Sequence, residues 1–314
     1  MTGLFDETSS DVLGTIRPED LTWDKALELF ETFYMASRNL APRTRVEYRT
    51  DIVQLIDFLN SNGGPGPAEI GLSHLQAFLA HLDTRGLSGV TRRRKTASMK
   101  AFFSYLVSVN LIPRNLAQQL IPPEREYKEP RFLTIQEYQA LLRACAHETR
   151  DAAIIELILQ TGIRLSEVAR LKIHDIELPL RINRDPANTG SLYVQGKGRK
   201  NRTLPINYKA GRALKAWLAV RPDVDHLTLF ITKFQEPMGP RAIERAVEKY
   251  VKAAGLHHVS VHTLRHTFAT QHVAHGTNLR TIQEALGHAD LKTTSIYVST
   301  AKEAMKRELQ HNAL

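Results

Sequence analysis

The sequence predicts a mainly α-helical protein with one small β-hairpin, built as two domains. Three observations lead there. Apolar residues recur at helical spacing through residues 21–112 and again through most of the chain after about 207. Between them "SLYVQGKGRKNRTLPI" (191–206) carries the clearest β signal, two short strand-like runs flanking a glycine-rich basic turn. Upstream of that, "IPPEREYKEP" (121–130) holds three prolines and mixed charges; it cannot continue a helix, and few contacts are expected to cross it. A chain of 314 residues also suits two cores better than one. The expected layout is an N-terminal arm (1–20), a helical domain (21–117), a linker (118–131) and a second domain with a C-terminal tail (132–314).

Each element has its own signal. "LTWDKALELFETFYMAS" places Leu27, Phe30 and Tyr34 on one helical face, and "TRVEYRTDIVQLIDFLNSNGG" does the same with Ile52, Leu55, Ile56 and Leu59 before stopping at Gly63. "SHLQAFLAHLDTRG" predicts a helix capped by Ser73 and ended near Gly86. "SGVTRRRKTASMKAFFSYLVSVN" is basic first and apolar later (Phe102, Phe103, Leu106, Val107), which predicts a helix with its first half on a polyanion and its second half in a core. In the second domain, Thr134 and Glu137 form a capping-box pattern ahead of the apolar run "YQALLRACA".

Composition narrows the function. The formal net charge is +9, and two stretches are basic with no acid inside them. One holds Arg92, Arg93, Arg94, Lys95 and Lys100; the other holds Lys197, Arg199, Lys200 and Arg202. Together they predict a nucleic-acid partner. No apolar run reaches the roughly 18 residues of a membrane span, and the acidic N-terminus lacks the pattern of a secretory signal, so a cytoplasmic protein without membrane contact is expected. The single cysteine, Cys145, cannot form an internal disulfide and reads as a small buried hydrophobe.

Five stretches of the second domain carry chemistry: "TGIRLSEVARL" (161–171), "GKGRKNR" (196–202), "HTLRH" (262–266), "LGHAD" (286–290) and "TTSIYV" (293–298). A glycine ahead of Arg164 at a helix start sets a guanidinium beside free backbone N–H groups, and Glu167 three residues on can hold it. Alone, that pair reads as an ordinary surface ion pair. His262 and Arg265 share a helix face, and arginine's planar fork suits two phosphate oxygens. His262 and His266 also have zinc-ligand spacing, but the adjacent glutamate of the zinc-protease pattern is missing and Arg265 would set positive charge beside the ion; no metal is expected, and His266 reads as a buried, hydrogen-bonded ring. His288 follows a helix-stopping glycine, with Tyr297 nine residues later. A tyrosine in "SIYV" alone reads as core. Taken together, two arginines, a hairpin lysine, two histidines and a tyrosine supply the parts of a metal-free phosphodiester cleavage. The tyrosine is the nucleophile, the arginines stabilise charge on the non-bridging oxygens, and the lysine protonates the leaving oxygen.

In that order and spacing "TGIRLSE", "GKG", "HTLRHTFAT", "LGH" and Tyr297 resemble the tyrosine recombinases of the phage-integrase superfamily, nearest in layout to the Xer type, over roughly residues 21–310. The resemblance implies an N-terminal helical core-binding (SAM-like) domain and a C-terminal tyrosine-recombinase catalytic domain. It implies that Arg164 and Arg265 clamp the scissile phosphate, that Lys197 is the general acid for the 5′-hydroxyl, and that His262 binds the phosphate and assists proton transfer. It gives His288 a place on the phosphate or beside the tyrosine, Glu167 a supporting place, and Tyr297 the attack that makes a 3′-phosphotyrosyl bond. No cofactor is implied. The implied partners are double-stranded DNA with paired half-sites and further copies of the chain: a dimer on one site and a tetramer in the synapse that passes through a Holliday junction. The tail, with Ala301, Met305 and Leu309 four apart, is expected to contact a neighbouring protomer. The implied role is chromosome-dimer resolution or integration and excision of a mobile element, in the cytoplasm at the nucleoid, with any second recombinase or accessory protein left open. The other readings are a DNA-binding protein of this fold without the chemistry, a strand-passing enzyme of the type IB topoisomerase kind and a metal-dependent nuclease.

Overall fold

The computed structural model describes residues 17–124, 130–185, 188–196, 201–287 and 296–298. It divides into two compact units, Met1–Tyr127 and Lys128–Leu314.

In the N-terminal unit, Thr22 caps α1 (Trp23–Leu29), which runs through a π-helical turn (Phe30–Tyr34) into a last helical turn (Met35–Ser37). Three longer helices follow: α2 (Pro42–Ser61), α3 (Leu72–Thr84) and α4 (Gly89–Ser108). Their apolar faces meet around Trp23, Phe30, Ile52, Leu55, Phe78, Phe102, Phe103 and Leu106. Phe102 lies edge-on to Phe30 at 5.2 Å and to Phe103 at 5.2 Å, the geometry that ring quadrupoles favour. Ser88 caps α4 through the Thr91 N–H. Ser73 does not cap α3: the N-cap is Gly71, two residues earlier, and its N–H donates to Nδ1 of His74 at 3.0 Å, the reach-back half of a capping box made by an imidazole.

The basic start of α4 also departs from expectation. Lys95 does not face solvent or a groove. It is 3% exposed and donates to Asp51 at 2.7 Å and to Gln54 at 2.6 Å. Arg94 reaches the same carboxylate at 2.5 Å, and so does the Ser98 hydroxyl at 2.7 Å. The reason is Asp51, fully buried on α2, whose charge demands partners inside the unit. Arg92 pairs with Asp83 at 2.9 Å, Arg93 donates to the Pro123 carbonyl at 2.9 Å and Lys100 to that of Gln118 at 3.2 Å. The basic half of this helix is thus half-buried and engaged within its own unit.

The C-terminal unit opens with the capping box foreseen at Thr134 and Glu137, ahead of α5 (Ile135–Cys145). Next come α6 (Thr149–Thr161) and the single turn α7 (Leu165–Val168). The antiparallel sheet has three strands in sequence order: β1 (Ile176–Glu177), β2 (Gly190–Gln195) and β3 (Asn201–Ile206). β2 and β3 are the expected hairpin, paired from Gly190↔Ile206 to Gln195↔Asn201. β1 adds a third strand of two residues, too short to show an alternation in the sequence. Along β2, Leu192 and Val194 face the core while Tyr193 and Gln195 face out. The unit closes with α8 (Tyr208–Val220), α9 (Pro240–Ala253), α10 (Val261–Ala274) and α11 (Leu279–Leu286). The main core, with Ile154, Ile158, Leu204, Trp217, Phe230, Tyr250 and Leu264, also encloses Cys145. Among the described residues, no helix is long and apolar enough to cross a membrane.

Candidate active site

The site begins where α6 ends. Gly162 stops that helix in the left-handed conformation (φ +63°), and a Cβ there would collide with the Phe268 ring, so both the turn and the packing ask for glycine. Two residues on, Arg164 is the N-cap of α7. Its own N–H donates to Glu167 at 2.9 Å and its guanidinium to the other Glu167 oxygen at 3.0 Å. A second guanidinium, Arg202 of β3, lies on the same carboxylate with two bonds of 2.9 and 2.8 Å. Burial would raise the Glu167 carboxyl; the hydrogen bonds from Arg202 and the Arg164 backbone, with both positive charges, outweigh it and hold it below its ordinary value.

Arg265, on α10, is 3% exposed. It donates to the Gly162 carbonyl and, at 2.7 Å, to the Leu286 carbonyl. Arg164 donates to the next carbonyl, that of Gly287, at 2.6 Å. The arginines are therefore anchored to the C-terminal ends of α6 and α11, where helix dipoles carry partial negative charge. Gly287 closes α11 with φ +62°, and a Cβ there would stand 3.1 Å from the Arg164 guanidinium. Burial, and then the charge of Arg164, brings Arg265 down to about 10, which still leaves it cationic at neutral pH.

One residue after Arg265, His266 meets the tyrosine. Tyr297 is 2% exposed and packs with Phe268, Ala269, Ile282 and Leu286. Its hydroxyl lies 2.9 Å from Nδ1 of His266, with ring centroids 5.4 Å apart. Burial raises the Tyr297 phenol, and the positive charge of Arg265 opposes that rise. His262, one turn earlier, is exposed and sets its ring edge-on to His266 at 4.3 Å. Partial desolvation, then the charges of Arg265 and Arg164, holds it below its ordinary value.

The structure thus brings Arg164, Glu167, His262, Arg265 and Tyr297 into one cluster. Lys197 and His288 lie outside the described residues, as do Arg199 and Lys200. Arg202, expected on DNA, is turned inward: its side chain is 13% exposed, and it also donates to the Ala285 carbonyl at 2.8 Å. The buried Glu167 attracts it, because a carboxylate can take more than one guanidinium. His266 is the half-buried, hydrogen-bonded ring that the sequence predicts, but its partner, Tyr297, is not foreseen there. Its signal was the four-residue spacing from His262, which sets both rings on one face; that spacing was weighed only for a metal.

Comparison with known proteins follows the same lines. The profile described as "Phage integrase family" matches residues 131–304, and the one described as "Phage integrase, N-terminal SAM-like domain" matches residues 27–110. Tyrosine recombinase XerC of Lacticaseibacillus casei (strain BL23) is 30% identical over 297 residues, covering 90% of this chain and 97% of the relative. The protein of the same name from Thermodesulfovibrio yellowstonii is 35% identical over 263 residues, covering 80% and 83%. Among solved structures, XerH site-specific recombinase bound to palindromic difH substrate superposes with a TM-score of 0.72 at 23% identity, covering 97% of this chain and 89% of that one. A lambda integrase dimer bound to a COC′ core site superposes with 0.71 at 18%, covering 94% and 81%. These two likenesses establish the fold.

Proposed function

The chain belongs to the phage integrase family, and from that membership we propose that it is a site-specific DNA recombinase that cuts and rejoins DNA through a 3′-phosphotyrosyl intermediate. In this reading the phenolic oxygen of Tyr297 attacks the scissile phosphorus, and the 5′-oxygen leaves. Arg164 and Arg265 bind the non-bridging oxygens, where negative charge grows in the transition state. Their anchoring supports this: each guanidinium is fixed from behind by helix-end carbonyls, and Arg164 also by Glu167, so little reorganisation accompanies the reaction. His262, on the exposed side of the site, donates a hydrogen bond to the phosphate. We assign Lys197 the protonation of the leaving 5′-oxygen and His288 a place on the phosphate or beside the tyrosine. The phosphotyrosyl bond keeps the energy of the broken phosphodiester, so rejoining uses a 5′-hydroxyl from a second duplex and no nucleotide cofactor.

The partners follow from the relatives. XerH and lambda integrase carry DNA sites in their structures, lambda integrase as a dimer on a core site and as a tetramer on a Holliday junction. We extend to this chain a dimer on paired half-sites and a tetramer in synapsis, with the segment after residue 299 reaching a neighbouring protomer. Arg93 and Lys100, half-buried and held among the described residues to backbone carbonyls, are the residues of the first basic stretch best placed to take phosphates. The site of action is the cytoplasm, at the nucleoid.

The observation that carries the reading is one buried tyrosine hydroxyl within electrostatic reach of Arg265, whose guanidinium the fold holds in place and whose charge Arg164 in turn feels. The test is a nicked suicide duplex bearing inverted half-sites selected by binding, mixed with the protein in EDTA. A covalent adduct that survives SDS and disappears in Tyr297→Phe is expected. An EDTA-sensitive cut without adduct would overturn the reading in favour of a metal-dependent nuclease. Relaxation of supercoils by a monomer without site preference would favour a topoisomerase instead.

A further inference from the structure

We propose that His266 is a catalytic residue of this reaction: its Nδ1 takes the phenolic proton as the Tyr297 oxygen bonds to phosphorus, and returns it when the DNA is rejoined. The inference rests on Tyr297 being the nucleophile. The geometry is direct, since Nδ1 stands 2.9 Å from the hydroxyl, within the range a general base needs. Both groups are held in place. Phe268, Ala269, Ile282 and Leu286 enclose the tyrosine, and α10 fixes the histidine next to Arg265.

Among the described residues, the neighbouring groups are committed elsewhere. Both oxygens of Glu167 already accept from Arg202 and from Arg164. Arg265 is a cation and cannot take a proton. His262 lies edge-on to the His266 ring on the exposed side, where the phosphate would stand. A phenol buried in apolar surroundings resists ionisation, so its attack calls for a proton acceptor that is already in contact.

The step balances without a further reactant. The O–H bond of Tyr297 breaks as its O–P bond forms, and that proton goes to Nδ1. The P–O5′ bond breaks, and a second proton, from the general acid, goes to the 5′-oxygen. Rejoining runs both transfers backwards. For Nδ1 to accept, the neutral ring carries its proton on Nε2.

The experiment measures single-turnover adduct formation on the suicide duplex and on the same duplex with sulfur in place of the 5′-bridging oxygen. A thiolate leaves without a proton, so this substrate rescues loss of the acid but not loss of the base. His266→Ala is expected to slow adduct formation about 10²–10⁴-fold on both substrates, with DNA binding unchanged and with partial recovery in added imidazole. His266→Asn sets an amide near the Nδ1 position; it keeps a hydrogen bond but is not basic enough to take the phenolic proton, and is expected to remain slow. Should His266→Ala fail to fold, His266→Asn carries the test on its own. A wild-type rate in His266→Ala, full recovery in His266→Asn, or rescue of either by sulfur would overturn the inference while leaving Tyr297 in place. An adduct that persists in Tyr297→Phe would instead overturn the nucleophile on which it rests.

Discussion

Asp51 in the N-terminal unit and Glu167 in the C-terminal unit are both buried carboxylates that hold two cations, and they use them in opposite ways. Asp51, on α2, draws Arg94 and Lys95 across from α4, and Lys95 keeps only 3% of its side chain exposed. Glu167, on the short α7, takes both Arg202 and Arg164, and Arg164 keeps 36% exposed. Location separates them. Asp51 faces a neighbouring helix through its whole side chain, so a flexible lysine stem can carry its ammonium into the interface. Glu167 stands just after a loop, where a planar guanidinium bonds the carboxylate through one edge and leaves another edge available. A run of positive charge in a sequence therefore gives the sign of a surface but not which of its members reach it; the acid that faces the run decides.

The comparison breaks most visibly at Asp51. Asp51→Ala leaves the Lys95 ammonium buried without its counter-charge, and is expected to cost about 3–5 kcal/mol in chemical denaturation. The double variant Asp51→Ala with Lys95→Met removes both charges and is expected to recover most of the loss. A single-variant cost below about 1 kcal/mol would show that this cluster does not hold α2 to α4.

Glu167→Gln comes second. Two charge-assisted guanidinium contacts weaken, for an expected loss of about 1–3 kcal/mol, and adduct formation on the suicide duplex is expected to fall further than DNA binding, because Arg164 loses its orientation. The sign with pH is fixed by the depressed carboxyl. Its contribution is present above the ordinary carboxylate range near about 4.3 and is lost as pH falls through the lower folded value. Wild type is therefore expected to lose stability between pH 6 and pH 3 more steeply than Glu167→Gln. Parallel curves would count against an ionised Glu167.

How much of this was legible in the sequence follows from the range of each interaction. The helices of the N-terminal unit, the Thr134 capping box and the hairpin all rest on patterns within a few residues, and all appear in the structure. The residue types of the site were legible as well, because Arg164, Glu167, His262, Arg265 and Tyr297 stand in recognisable short motifs that the fold brings together. Missing were contacts between distant segments: Lys95 on Asp51, Arg202 on Glu167, and His266 on Tyr297, separated by 44, 35 and 31 residues. No local spacing encodes such a pair. The carbonyls of Gly162, Leu286 and Gly287 were equally invisible, since a backbone acceptor has no letter of its own; only the two glycines that aim them leave a trace.

Glu156 sharpens the comparison with the smallest effect, as a carboxylate largely withdrawn from water with neutral hydrogen-bond donors. Tyr138 donates to it at 3.2 Å and the Gln160 amide at 3.1 Å, while Lys209 and Arg212 act on it only through their charge. Burial wins, and the Glu156 carboxyl is raised above its ordinary value, the reverse of Glu167. The folded protein therefore prefers this group protonated, and its ionisation subtracts stability as pH rises from below the ordinary carboxylate range through the raised value. Glu156→Gln keeps an acceptor for Tyr138 and removes the charge. It is expected to stabilise the C-terminal unit by about 0.5–1 kcal/mol at pH 7 and to make little difference near pH 4. Thermal melts of the two proteins at both pH values check this. A Glu156→Gln protein less stable than wild type at pH 7 would mean that Lys209 and Arg212 outweigh burial, placing Glu156 with Asp51 and Glu167 among the carboxylates that the fold needs ionised.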